Sequence, residues 1–137
     1  MRVITFGTYD LFHIGHLKII ERARALGDHL TVGISTDALN FSKKAIYPSY
    51  SEGERLQIVA ALRAVDEVFL EESLEKKADY IREHRADILV MGDDWAGKFD
   101  DLSSLCKVVY LPRTEGISTT SVKQRIAGVE PDEAILP

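Results

Sequence analysis

Val3-Ile4-Thr5-Phe6-Gly7-Thr8-Tyr9-Asp10-Leu11-Phe12-His13-Ile14-Gly15-His16 is the stretch on which the reading of the whole chain turns. Val3 to Phe6 reads as a buried first strand. After His16, Leu17, Ile20, Ala23 and Leu26 recur at helical spacing, with Lys18, Glu21, Arg22 and Arg24 on the wet side. That pattern predicts a helix from about His16 to Leu26, stopped near Gly27. A strand that turns sharply into a helix points backbone N–H groups outward at the helix start, which favours anions and phosphate above all. Gly15 lets a ligand approach the backbone, and the imidazoles of His13 and His16 can each donate to a phosphate oxygen. The stretch therefore reads as the place where a nucleoside triphosphate sits and reacts.

Outward from this motif, strand and helix signals alternate. His29 to Ser35 reads as a second strand, and Thr36 to Tyr50 as a loop with at most a short helical turn. Ser51-Glu52-Gly53-Glu54 carries the capping-box spacing and opens a helix to about Ala64. Glu67 to Leu70 is a short strand, Ser73 to His84 a helix and Ile88 to Met91 a central, wholly apolar strand. Gly92 to Trp95 is a polar turn, and Asp101 to Leu105 reads as a short helix. Lys107 to Leu111 is a fifth strand, Pro112 to Ile117 a loop, and Ser118 opens a last helix that ends before Gly128. The alternation predicts an α/β fold: a Rossmann-like open parallel five-stranded sheet with helices on both faces. One domain over residues 1–128 is expected, and a tail, 129–137, held loosely or packed on a partner subunit. Ligands of such sheets bind at the carboxyl ends of the strands. The opening motif, Asp37, Asp93 with Asp94, and Arg113 all fall at such ends.

Composition narrows the partners. The chain has 137 residues, 45% of them hydrophobic, and a net charge of −5, which argues against nucleic acid as the main partner. No apolar run approaches the ~20 residues of a membrane helix, and Met1-Arg2 leads straight into a strand, so no signal peptide is read and the cytoplasm is the expected compartment. The single cysteine, Cys106, sits in an apolar stretch and reads as a buried small hydrophobe. His29, His84 and Cys106 show no ligand spacing to His13 and His16, so no protein-bound metal is expected. There is no G-x-x-x-x-G-K-[ST], no G-x-G-x-x-G and no G-x-S-x-G.

A second constellation, Arg113-Thr114-Glu115-Gly116-Ile117-Ser118-Thr119-Thr120, leads into the last helix. Ser118 or Thr119 can simply cap it. The same geometry also offers hydroxyls, N–H groups and a guanidinium to a polyphosphate. Lys43 and Lys44 read either as a solvated pair or as cations that close over a phosphate. Arg55 and Arg63 read from their pattern as a solvated face as readily as ligands.

The histidine motif, Met91-Gly92-Asp93-Asp94-Trp95 and the string Arg113 to Thr120 together resemble the cytidylyltransferase family, over Val3 to about Gly128. The histidine motif is shared by many nucleotidyltransferases, whereas the Arg113 string is specific. The resemblance implies transfer of CMP from CTP to an alcohol phosphate, sn-glycerol 3-phosphate foremost. The products would be pyrophosphate and a CDP-alcohol that serves as a precursor of cell-wall teichoic acid or polysaccharide. Magnesium would accompany the triphosphate, and the protein would be a homodimer.

Carried over by position, Thr8, Tyr9, Asp10 and His13-Ile14-Gly15-His16 would meet the nucleotide, with Lys43, Lys44, Asp94 and Arg113 to Thr120. Asp37 and Asp66 match family aspartates. Arg55, Arg63 and Lys77 match positions tied to the phosphorylated substrate, and His13, His16, Lys44, Arg63 and Arg113 to catalysis. The chain departs from the family pattern before Lys43, in the longer Ile46 to Gly53 with its Pro48, and at Leu74, where the family pattern carries tryptophan. The alternatives are a related adenylyltransferase of the FAD or coenzyme A pathways, and a non-catalytic nucleotide-sensing module. A class I aminoacyl-tRNA synthetase shares His-Ile-Gly-His, but this chain lacks that group's second lysine signature.

Overall fold

The computed structural model describes residues 1–128. Five parallel strands, β1 (Arg2–Gly7), β2 (His29–Ser35), β3 (Glu67–Glu71), β4 (Ile88–Gly92) and β5 (Lys107–Leu111), form one sheet in the order β3-β2-β1-β4-β5. The chain builds outward from β1 to β3, then crosses back to place β4 on the other side of β1. That reversal opens a crevice at the carboxyl ends of β1 and β4. Helices α1 (Ile14–Arg24), α2 (Asp37–Lys44), α3 (Glu52–Ala60), α4 (Lys77–Glu83) and α5 (Thr119–Ile126) connect or follow the strands.

Alternate residues of the strands feed two cores. Val3, Leu30, Val32, Ile34, Ile88 and Val90 pack with Ile20 and Ala23 of α1 and Val59 of α3. Ile4, Phe6, Leu89 and Met91 pack on the opposite face with Tyr80 and Ile81 of α4 and with Cys106, which is buried as expected. The expected fold class and strand positions hold, and helices lie on both faces.

The expectations miss in four places. Helix α3 stops at Ala60 rather than near Ala64. Thr36 to Tyr50 is not mainly loop: Thr36 caps α2 by accepting from the Leu39 N–H at 3.1 Å, and Ala45 ends it in the left-handed region at φ 58°. The helical period is hidden because Asn40, a polar residue, fills a buried position beside Leu39. The first helix starts at Ile14 rather than His16, because His13 supplies an unusual cap. Ser73 to His84 divides into a 3₁₀ turn, Leu74–Lys76, followed by α4. The tail at 129–137 lies outside the described residues.

Arg55 of α3 is 0% exposed and joins three segments of chain. Its Nη1 donates to the Thr8 and Ser35 carbonyls at 2.9 and 2.7 Å, its Nε to the Tyr50 carbonyl at 3.0 Å, and its Nη2 to Asp37 Oδ1 at 2.7 Å. These bonds spend the guanidinium inside the chain, so Arg55, matched by position to the substrate, serves the scaffold.

The fork geometry is specific to arginine. Arg55→Lys keeps the charge but strands several of these acceptors. Chemical denaturation should show a loss of about 3 kcal/mol, the scale for breaking a buried ion pair. A loss below ~1 kcal/mol would show that the fork is dispensable.

Candidate active site

Gly7, at the carboxyl end of β1, has no side chain, and the Tyr9 ring folds back into that space. A Cβ on Gly7 would stand 2.6 Å from Tyr9 Cζ. The turn that allows this places Tyr9 at φ 55° and Leu11 at φ 49°, both in the left-handed region that L-residues rarely adopt. Such strain is characteristic of functional turns. Here it delivers Phe12 and His13 to the start of α1.

His13 and His16 are fixed by their own backbone. The Gly15 N–H donates to His13 Nδ1 at 3.1 Å, and the His13 N–H donates to His16 Nδ1 at 3.2 Å. The rings stack with centroids 3.7 Å apart. Because each Nδ1 accepts, each Nε2 carries the ring proton in the neutral imidazole and is a donor. Burial lowers the His13 pKa, and the Arg113 charge lowers it further. Burial and the His13 charge lower that of His16 to about 3, against a smaller opposing effect of Asp10. The pair is therefore two neutral N–H donors at neutral pH. A Cβ on Gly15 would meet the His13 ring at 2.9 Å and Ile117 Cγ2 at 3.1 Å, so only glycine keeps this packing.

The opposite wall is the turn after β5. Arg22 of α1 donates to the Pro112 carbonyl at 2.9 Å and holds the turn's start. Gly116 takes φ 80°. Ser118 caps α5, accepting from the Ser121 N–H at 3.0 Å. Thr119 Oγ1 donates to the Asp10 carbonyl at 3.1 Å, which ties this wall to the histidine turn. The two walls enclose a cavity of about 530 Å³ at the carboxyl ends of β1 and β4.

The structure brings together most of the residues singled out from sequence. Thr8, Tyr9, Asp10, His13, Gly15 and His16 line the cavity from one side, and Arg113, Thr114 and Ile117 to Thr120 from the other. Lys44 and Asp94 also line it. Ile14, Glu115 and Gly116 shape the turns without lining the cavity. Lys43 does not line it either: it is half-buried, and Glu71 attracts its ammonium. Asp10 uses both carboxylate oxygens on the Ser49 and Tyr50 N–H groups, at 2.8 and 2.9 Å, and so anchors the loop that sets Ile46, Tyr47 and Pro48 at the rim. Asp37 is paired with Arg55.

Arg63 and Asp66 are not brought to the cavity. Helix α3 runs back along the strands, so Arg63, just past its end, is exposed near the amino ends, where Asp66 accepts from the Leu30 N–H at 2.8 Å. His29 and His84 both face Glu67 near the same amino ends, at 3.3 and 3.7 Å. Among the described residues no group of three or more histidine, cysteine or acidic side chains is arranged to hold a metal, and no helix is long and apolar enough to cross a membrane.

Sequence reasoning missed Asn40 and Lys123, which also line the cavity. Asn40 Oδ1 accepts from the Thr8 hydroxyl at 2.8 Å while its Nδ2 donates to the Ser35 and Thr36 carbonyls at 3.4 and 3.0 Å. The signal for Lys123 was present: it stands four residues after Thr119, on the same helix face.

Known proteins resemble this chain closely. Residues 4–125 match the family model described as cytidylyltransferase-like. The chain is 55% identical over 129 residues to a glycerol-3-phosphate cytidylyltransferase of Bacillus subtilis (strain 168), covering 93% of this chain and 98% of that protein. It is 47% identical over 128 residues to a protein of the same name from Staphylococcus aureus (strain NCTC 8325 / PS 47), covering 93% and 96%. Among solved structures, a lipopolysaccharide core biosynthesis protein from Thermoplasma volcanium GSS1 superposes with a TM-score of 0.71 at 24% identity, covering 84% of this chain and 98% of that one, which shows a shared fold.

The histidine assignment has a direct test. Long-range ¹H–¹⁵N spectra should show His16 with an unprotonated Nδ1 and a protonated Nε2 down to pH ~5. In the unfolded chain this imidazole takes up its proton near 6.5, but in the folded one only at about 3. Between those values the unfolded state binds more protons, so stability falls as pH drops from 6.5 toward 3. The urea midpoint should decline over that window, less steeply in His16→Gln. A His16 that titrates near 6.5 would remove its role as a neutral donor.

Proposed function

The chain belongs to the cytidylyltransferase-like family, and from that premise we propose that it transfers CMP from CTP to sn-glycerol 3-phosphate, giving CDP-glycerol and pyrophosphate. One observation carries the reading: two neutral imidazole donors face Arg113 and the hydroxyl-rich start of α5 across a single cavity, with Lys44 at its rim. That arrangement fits a triphosphate gripped from both sides. The acceptor is drawn from the relatives that bear the name.

The nucleophile is an oxygen of the acceptor's phosphate, whose second pKa is ~6, so it is largely dianionic at neutral pH and needs no general base. That oxygen forms a bond to the α-phosphorus as the bond to the bridging oxygen of the β-phosphate breaks. The leaving group is pyrophosphate. The obstacle is the approach of two anions, and catalysis is positioning plus electrostatic stabilisation. His13 and His16 donate through Nε2 to α- and β-phosphate oxygens. Arg113 and Lys44 neutralise the triphosphate and the departing pyrophosphate, and the N–H groups at the start of α5 add to that side.

Asp10 is committed to backbone donors, which leaves Asp94 as the lining carboxylate free to meet a cation. This suits a magnesium ion that arrives on the triphosphate rather than one held by a protein cage. Such an ion would offset phosphate charge. Lys77 serves the acceptor side. A homodimer working in the cytoplasm, where CTP is made, completes the reading, with CDP-glycerol feeding a teichoic acid or related polymer.

The test is pyrophosphate release with CTP or ATP against a panel of alcohol phosphates. CTP with glycerol 3-phosphate should be the preferred pair; CTP binding without turnover on any acceptor would leave a sensing module instead. His13→Ala and His16→Ala should each lose on the order of 10²–10³ in kcat. Arg113→Ala should chiefly raise the KM for CTP. Near-normal kcat in both histidine variants would reject the donor roles.

A further inference from the structure

Beside the cavity, the carboxyl end of β3 and the start of α4 enclose a charge cluster that the nucleotide does not use. Glu71, the last residue of β3, is 1% exposed, and Lys77, the first of α4, is 3% exposed. Lys77 Nζ donates to Glu71 Oε2 at 2.6 Å, and lies 4.0 Å from the centre of the Phe6 ring and 5.0 Å from that of Phe99. Phe6 is itself a wall of the cavity, so the ion pair sits immediately behind that wall. The other carboxylate oxygen faces the Ser35 hydroxyl at 3.5 Å, and that hydroxyl reaches the Gly7 carbonyl at 3.3 Å.

Lys43 of α2 is the third member. Burial depresses its ammonium, Glu71 attracts it, and Lys44, Lys77 and Arg55 repel it. Arg55 already has Asp37 as its counter-ion. The balance left is one carboxylate against two ammonium groups. A buried ion pair is a poor route to stability, because desolvation cancels most of the attraction. Two ammonium groups complement a dianion better than a single carboxylate.

We propose that Glu71 is a positioning residue that holds Lys77 while the acceptor is absent and yields it to the acceptor's phosphate on binding. This rests on the reading that the chain takes a phosphomonoester acceptor. Glu71 and the phosphate compete for one ammonium, so Glu71 keeps Lys77 charged and in place at the cost of weaker acceptor binding. Serving the nucleotide is not part of its role.

The test is the KM for each substrate in Glu71→Gln and Lys77→Met. Without the competing anion, Glu71→Gln should lower the acceptor KM, on the order of 3- to 10-fold, with the CTP KM unchanged. Its melting temperature without ligand should fall, and added glycerol 3-phosphate should raise it by more than in the wild type. Lys77→Met should raise the acceptor KM with the CTP KM unchanged. An acceptor KM in Glu71→Gln equal to or above the wild-type value overturns the inference. If that variant does not fold, Glu71→Asp, which withdraws the carboxylate by one methylene, should shift the acceptor KM the same way, and an unchanged or raised value there overturns it equally. Wild-type turnover together with an unmoved Glu71→Gln removes this inference alone. No pyrophosphate from the wild type with any alcohol phosphate removes the functional reading and this inference with it.

Discussion

The cavity keeps its shape because one buried guanidinium ties three turns to one helix. Arg55 reaches the carbonyls of Thr8, Ser35 and Tyr50 and the carboxylate of Asp37. Those acceptors lie in the turns after β1 and β2 and in the segment that leads into α3. Each turn leaves carbonyls without a partner in the sheet or helices, and the buried Arg55 supplies one. A planar fork of donors meets them in a way no aliphatic residue could. With Thr8 fixed, the strained path through Tyr9 and Leu11 has a firm start, and with Asp37 fixed, α2 presents Asn40 to Thr8 and Lys44 to the rim.

On that scaffold, charge and neutrality are divided between parts of the site. Both histidines are desolvated, and the Arg113 charge across the cavity lowers the His13 pKa further, so the pair presents uncharged donors. They can follow charge as it develops on phosphate oxygens without a protonation step. The fixed positive charge comes from Lys44, Arg113 and Lys123, spread around the rim where water lowers the cost of holding like charges together. A chain with a net charge of −5 can therefore still draw in two polyanions, because the local field is set by a few cations in a concave wall.

Most of this was legible in the sequence where a local rule coincides with the tertiary outcome. β5 spans Lys107 to Leu111 as expected, and Ser51 and Ser118 cap helices as their spacing suggests. The histidine turn and the Arg113 string were recognisable because each concentrates unusual residues at a strand–helix junction. What was not legible depended on burial of polar groups. Asn40 hides the period of α2 by standing where an apolar residue is expected. Arg55 looks like a surface arginine until its acceptors are known, since they come from Thr8, Ser35 and Tyr50, far away in the chain. Arg63 was read toward the site, but the direction of α3 carries it to the opposite end of the sheet, where Asp66 also lies. Lys43 and Lys44 are adjacent, and only the helical twist, about 100° per residue, sends one to the rim and the other toward Glu71.

The strand order also fixes where the chemistry must occur. The groups fitted to the triphosphate come from α1, from the turns after β4 and β5, and from the end of α2. The group proposed for an acceptor phosphate, Lys77, comes from α4 and is held by Glu71 of β3. In the order β3-β2-β1-β4-β5, Glu71 stands on the β3 edge, while Lys77 reaches across to the Phe6 ring of β1. The carboxyl end of that central strand, at Gly7 and Thr8, borders the cavity, and Phe6, just before it, meets Lys77. There the side chain is missing at Gly7, the Tyr9 ring fills the floor, and the His13 and His16 donors stand at the adjoining helix entrance. The same reversal of strand order that opens the crevice sets the uncharged donors of α1 at the end of β1, with Lys44, Arg113 and Lys123 around them on the cavity wall.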